Sequence, residues 1–384
     1  MKLLKDLRIV TMEGQEIPLG YLLVDQARIV DLGSMEDCPT DVTDVTVLRG
    51  KTAYPGFIDA HSHIGMWEDG LSFEGDDGNE DCDPIMPQLS ALDAINPMDR
   101  AFSEAASAGI TTVVTGPGSA NPIGGSFIAV KTVGRRIDDM VVKNPVGMKF
   151  SLGENPKNTY HEKDAGPVTR MGTAALIREQ LERARRYTCD LESALQDEGK
   201  EEPEYDAKCE ALVPIFQRKG KAFFHCHRAD DIFTALRIGK EFHLDVVLVH
   251  ATEGHLVADL LQEESIIVGP LMSDRSKPEL KNQCLKNPAV LKEEGALVAI
   301  CTDHPVIPQQ YLPLSCALAV REGLSRQDAF RAVTIDAARV VGIEDRVGSL
   351  AVGKDADLVI YPDNVDPFSP YTVPERVMID GEWI

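Results

Sequence analysis

Four apolar runs in this chain each lead into an imidazole or a carboxylate, and that coincidence constrains the fold more than any other feature. GFIDAH (56–61) closes on His61, KAFFH (221–225) on His225 and VVLVH (246–250) on His250, while ALVAICT (296–302) runs straight into Asp303. Short continuous apolar runs read as strands buried on both faces, the pattern of a parallel sheet. Parallel strands point the same way, so polar groups at the same end of several of them are carried to one rim.

Three further runs, ITTVVT (110–115), VGMKFS (146–151) and SIIVG (265–269), extend the series, and SFIAVKTVG (126–134) is the best candidate for an eighth strand. Helical stretches lie between them. MDRAFSEAASAG carries Asp99 in its opening turn and Gly109 after its end, and the long stretch 171–219, with RARRY and EEPEYDAK, reads as a barrel helix or as an insertion serving an interface or lid. About eight such units over ~290 residues predict an α/β fold, a (β/α)8 TIM-type barrel across 55–345, with an open doubly wound sheet as the runner-up. The ends of the chain differ. LRIVTM, YLLVD and ARIVDLG near the start, and ADLVIYP (356–362) and RVMIDGEWI (376–384) around an Asp380-Gly381 turn, read as strands and hairpins. A lone hairpin cannot bury its apolar face, so residues 1–54 and 346–384 are expected to pair into one small composite β-sandwich.

Charge narrows the partners. A net charge of −23 with no cluster of Lys and Arg excludes nucleic acid and anionic membrane as expected partners and leaves a small molecule. No apolar run is long enough to span a bilayer, and the first twenty residues lack a signal-peptide core. The eight cysteines form no CxxC pair, which fits a reducing cytoplasm.

His61 and His63 stand two apart at a strand end, so both side chains leave one face and can grip one ion. With His225, His250 and Asp303 arriving at the same rim, the set matches what divalent zinc, manganese or iron accepts. Arg228, Glu253 and His255 occupy loops just past ligand-bearing strands and are placed as substrate contacts. His304 follows Asp303 directly and is assigned to the same shell, where it orients its neighbour. The acidic segment 74–83 and the Gly-rich segment 119–126 follow the first two strands; they read as solvated loops, or as rim loops that cover a substrate.

The segments PGFIDAHSHIG, the later strand-end histidines, TDH, and the closing DRVGSLAVGKDADLVIY resemble the amidohydrolase superfamily over essentially the whole chain, closest to its imidazolonepropionase-like and Xaa-Pro dipeptidase-like branch. The resemblance implies one or two divalent metal ions, zinc first, with manganese or iron as alternatives, and a homo-oligomer as is common in the family. Carried over residue by residue, His61 and His63 hold the more buried ion, His225 and His250 the second, and Asp303 serves as ligand and proton shuttle. His227 mimics the first pair, but the family pattern takes the earlier histidine of that strand, so His227 is assigned to substrate. Two-ion members bridge their ions through a carboxylated lysine or a glutamate, and VGMKFSLGENPK offers Lys149 and Glu154. Lys149 fits the strand position better, since Met148 and Phe150 then point the other way, yet Glu154 needs no modification and both stay open.

The expected chemistry is hydrolysis of a C–N bond in an amide, cyclic amide or dipeptide. Metal-bound hydroxide attacks, and Asp303 takes and returns the proton. Deaminase relatives carry His-x-x-Glu after the fifth strand, where this chain reads His225-Cys226-His227-Arg228. A one-ion ring opener like imidazolonepropionase is the rival enzyme, and a non-catalytic barrel subunit the rival of another class.

Overall fold

The computed structural model describes every residue of the chain except Gln15, Asp69 and Glu198; the last of these falls within the stretch 171–219. Two eight-stranded sheets dominate. The first takes strands from both ends: β1 (Lys2–Ile9), β2 (Ile17–Asp25), β3 (Arg28–Ser34), β4 (Asp44–Val47) and β5 (Lys51–Pro55). The second runs in chain order through β6 (Phe57–Ser62), β7 (Ile110–Thr115), β8 (Ile123–Lys131), β9 (Val141–Ser151), β10 (Lys221–Cys226), β11 (Val246–His250), β12 (Ser265–Val268) and β13 (Leu297–Ile300). The chain then returns to the first sheet as β14 (Leu358–Pro362), β15 (Arg376–Ile379) and β16 (Glu382–Trp383), with β14 lying antiparallel against β5. The β15–β16 turn has Asp380 and Gly381 both at positive φ, 48° and 76°, as a two-residue hairpin of this twist requires.

The second sheet is nearly closed on itself. Beyond the last hydrogen-bonded strand, Asp303 N–H donates to His61 O at 3.2 Å and His63 N–H to His304 O at 2.8 Å, which ties the end of β13 to that of β6. Inside, Ile58, Phe127, Phe223, Val247, Val249 and Ala299 form an apolar plug completed by Ala337, Val340 and Val341 of the helix Ile335–Val341. Residues of opposite parity, such as Phe224, Leu248 and Val298, face outward into the larger core under the surrounding helices.

The structure departs from these expectations at two points. β8 pairs antiparallel with both β7 and β9, so the barrel is not a uniform run of parallel βα units. Its neighbours are joined to it by short connections, 116–122 and 132–140, which suffice for antiparallel strands but not for a parallel crossover. Asp99 precedes its helix rather than lying in the first turn: it is the N-cap of Arg100–Ser107, its carboxylate accepting from Ala101 N–H at 3.1 Å. The stretch 171–219 is one 27-residue helix, Arg170–Gln196, followed by two single turns, Ala207–Glu210 and Val213–Phe216. Among the described residues no helix is long and apolar enough to cross a membrane.

Candidate active site

The five strand-end residues singled out in the sequence arrive at one place, three of them by a local device. A register shift in β6 between Asp59 and Ser62 marks where the strand's alternation changes face. His61 then turns inward, its ring 5.1 Å from that of Phe127 and 5.5 Å from that of His250. In β11 Val247 and Val249 point inward, so continued alternation would send the next residue outward; His250 instead takes φ 74° and swings in. Asp303 likewise has φ 55°. Left-handed backbone is disfavoured for both residues and is held here by the surrounding structure.

Asp303 Oδ1 lies 3.4 Å from His61 Nε2 and 3.3 Å from His63 Nε2. Two overlapping donor groups result: His61, His250 and Asp303 form one, and His225, His227 and His250 the other, the donor atoms of each lying within 4.8 Å of one another. Four of the imidazoles are tethered through Nδ1, to Gly116 O (His63, 2.6 Å), Ser119 Oγ (His225, 2.8 Å), Thr252 Oγ1 (His227, 2.7 Å) and Gly269 O (His250, 2.7 Å). Tethering one ring nitrogen aims the other at a shared centre, the usual arrangement for imidazoles that ligate a metal. His225 Nε2 and the ring nitrogens of His61 are buried without a hydrogen bond, an expensive state that a cation would relieve. The donor set therefore fits a divalent ion.

Burial, seconded by neighbouring charge, keeps His61, His225, His227 and His250 neutral. It pushes His61 down to about 3, with Lys149 adding to the effect, and His225 and His250 well below the usual histidine range. For Asp303 burial acts upward, but His250, His61 and His63 outweigh it and hold the group as a carboxylate. Neutral imidazole and ionised carboxylate are the forms that bind metal.

Lys149 extends from β9 into the same centre, fully buried, its Nζ 5.4 Å from the Phe127 ring centroid and without a hydrogen-bond partner. Burial lowers its pKa to about 8. Phe150 faces outward and stacks on Phe224 at 4.7 Å. Glu154 is elsewhere: it opens the helix Glu154–Glu162, its carboxylate accepts from Glu279 N–H at 3.4 Å, and its own N–H donates to Glu279 Oε2 at 3.0 Å. It clasps two loops rather than joining the imidazoles.

A cleft of about 380 Å³ opens above the centre. His63, His225, His227, His250 and Asp303 line its floor, and Trp67, which packs edge-on against His63 at 4.9 Å, forms part of the wall. Arg228, Glu253, His255 and His304 do not line it. Arg228 pairs with Asp230 at 2.8 Å, and Glu253 accepts from Ala229 N–H and Asn282 Nδ2, fixing the helix start that follows β10. His255 sits in the short helical turn Gly254–Leu256, while His304 Nδ1 accepts from Gln309 N–H at 3.2 Å. Asn79 and Ser119, from the two rim segments, do face the cleft.

Several contributors escape sequence reading. Asp59 is fully buried and accepts from Thr302 Oγ1 at 2.5 Å and Gln309 Nε2 at 2.6 Å, bracing the Asp303 turn from below, and burial raises its pKa to about 7. Glu279 lies 3.6 Å from His227 Nε2, and burial lifts it to about 7 as well. A carboxylate inside the apolar GFIDAH run was a usable signal for Asp59; nothing local announces Glu279.

Residues 52–384 match the family model described as Amidohydrolase family. The solved amidohydrolase from Thermotoga maritima MSB8 is 39% identical, with a TM-score of 0.94 over 100% of this chain and 99% of that one. The amidohydrolase tasK of Hapsidospora irregularis is 28% identical over 94% of this chain, which spans only 39% of that protein's length. An imidazolonepropionase of Symbiobacterium thermophilum is 24% identical over 90% of this chain and 84% of its own. A prolidase solved with N-methylphosphonate-L-proline shares the fold at a TM-score of 0.59 and 15% identity.

Proposed function

This chain belongs to the amidohydrolase family, and from that premise we propose that it is a metal-dependent carbon–nitrogen hydrolase of the imidazolonepropionase-like and Xaa-Pro dipeptidase-like branch, cleaving an amide, cyclic amide or dipeptide. The observation that carries the reading is the meeting of Asp303 Oδ1 with His61 Nε2 and His63 Nε2 beside His250, on the floor of a cleft. His61, His63 and Asp303 would hold one divalent ion, His225 and His250 a second, and carboxylated Lys149 would lie between them. A bound zinc, manganese or iron supplies Lewis acidity and an acidified water.

The residues then divide the work. Asp303, ionised and open to the cleft, accepts the proton released as the nucleophile attacks and returns it to the departing nitrogen. His227, tethered by Thr252 and flanking the cleft, contacts the substrate. Trp67 and the loop past β12 limit water around the reacting bond. The fold reading that accompanies this one treats 1–54 and 346–384 as a sandwich beside a barrel of 55–345, supported by the separate apolar cluster of Leu4, Ile9, Leu22, Leu358 and Met378.

The test is a screen of N-acyl amino acids, dipeptides and cyclic amides against protein loaded with zinc or manganese, repeated with Asp303→Asn. We expect that variant to keep its metal and lose turnover by at least about 10²-fold, as loss of a general acid–base does. Near-normal activity would remove Asp303 from its role. The imidazolonepropionase relative also favours a second reading, ring opening with one ion, and metal analysis separates the two: two equivalents support the bridged centre, one the ring opener.

A further inference from the structure

The cleft wall carries a cation that no carboxylate of the described residues pairs with directly. Among the described residues lining the cleft, Lys277 is the one lysine or arginine. Its half-buried ammonium donates to Asn155 Oδ1 at 2.8 Å, and no carboxylate of a described residue lies within ion-pair distance of it. Some half-buried lysines have taken acidic partners, Lys221 with Asp245 at 2.6 Å, Lys208 with Asp83 at 3.1 Å and Lys292 with Asp336 at 3.0 Å, whereas Lys143, like Lys277, donates to a neutral oxygen, but away from the cleft.

The ammonium is also held in place. Lys277 lies in the loop between β12 and the helix Asn287–Glu293, and two residues further on Glu279 exchanges hydrogen bonds with Glu154, the residue before Asn155. The two loops are thus clasped next to the Lys277–Asn155 contact. Because Asn155 Oδ1 is taken by the ammonium, its Nδ2 stands beside it as a second donor. Two adjacent donors, one charged, on the wall of the cleft make a receptor for a planar anion. The 380 Å³ cleft is large enough for a dipeptide or an N-acyl amino acid.

We propose that Lys277 and Asn155 form the subsite that binds a free carboxylate of the substrate, so that the enzyme acts on small N-acyl amino acids or dipeptides rather than on neutral amides. The proposal rests on the C–N hydrolase reading for the nature of the scissile bond. It assigns to Lys277 the anchoring that the sequence suggested for Arg228, whose guanidinium is occupied by Asp230. Lys277 is a positioning residue: it fixes the far end of the substrate while Asp303 acts at the reacting bond.

The experiment is equilibrium binding to zinc-loaded protein in an Asp303→Asn background, so that the readout does not depend on turnover. The probes are matched pairs, N-acetyl-L-leucine against N-acetyl-L-leucinamide, and Gly-Pro against Gly-Pro amide. At least one acid should bind about tenfold or more tightly than its amide, the value of a charge-assisted hydrogen bond. Lys277→Met and Lys277→Gln should erase that preference, and Lys277→Arg should keep most of it. Equal binding of acid and amide by the Asp303→Asn protein, or no binding of any probe, would overturn the subsite. So would a preference that survives Lys277→Met, since the acid would then be held by the metal centre. Absence of hydrolysis in the parent enzyme, by contrast, would sink the hydrolase reading and leave this measurement readable.

Discussion

At the scale of single residues the candidate centre is a set of aimed imidazoles, and the aiming groups are as informative as the imidazoles themselves. His225 reaches the centre through Nε2 because Ser119 Oγ holds Nδ1 at 2.8 Å. Ser119→Ala removes that tether and leaves the ring free to turn, so affinity for the ion on the His225 side should fall about 10–100-fold, the usual cost of losing such a partner. Competition with a chelator measures it, and an unchanged release curve would show that the tether does not matter. Lys149 makes a sharper prediction. Its Nζ is buried without a hydrogen bond, which a neutral or charged amine tolerates poorly and a carboxylated one, satisfied by metal, does not suffer. Lys149→Met should therefore cost one metal equivalent and most of the activity. Retention of both ions by that variant would show that no lysine bridge exists.

At the scale of elements, much of the barrel is legible in the sequence because its parallel strands are buried on both faces and announce themselves as apolar runs. ITTVVT and VVLVH match β7 and β11 residue for residue. The direction of β8 is not legible, because a buried strand reads the same either way; its orientation is set by pairing Thr112 with Lys131 and Thr115 with Ile128, contacts made at a distance. The site divides in the same manner. His61, His63, His225, His250 and Asp303 are announced by the strands they terminate, whereas Lys277 and Ser119 reach the cleft, and Glu279 reaches His227, from loop segments whose course no local pattern fixes. A glycine shows how tightly the strands then pack. Gly147 in β9 lies opposite Lys221 of β10 and Phe127 of β8, and a Cβ there would stand 2.1 Å from Lys221 O. Backbone in mid-sheet cannot step aside, so Gly147→Ala should destabilise by at least about 2 kcal/mol. A urea midpoint equal to that of the parent would mean β9 and β10 are looser than this geometry allows.

At the scale of the whole molecule, the two sheets are joined by charge as well as by apolar packing. Lys131, at the end of β8 and almost fully buried, contacts Asp355 at 2.9 Å, Asp357 at 2.6 Å and Asp380 at 3.1 Å, all three from the segment that builds the terminal sheet. Asp355 has Arg28 and Arg346 besides, but among the described residues Asp357 has no other cation. Lys131→Met keeps the volume and strands Asp357, so stability should drop by about 3–5 kcal/mol at neutral pH, as when one partner of a buried pair is removed. The pH dependence follows from the sign of the shift. Burial already raises Asp357 against the pull of Lys131, and without that cation it rises further. A carboxyl whose folded pKa exceeds its unfolded value of ~3.9 holds its proton more tightly when folded. Its penalty is therefore absent below about pH 4 and grows as pH climbs through the window up to the folded value. Parent and variant should accordingly converge in denaturant midpoint near pH 4 and separate toward pH 7. A gap of constant size across that range would mean the barrel and the terminal sheet are held by shape alone, with the buried cation an onlooker.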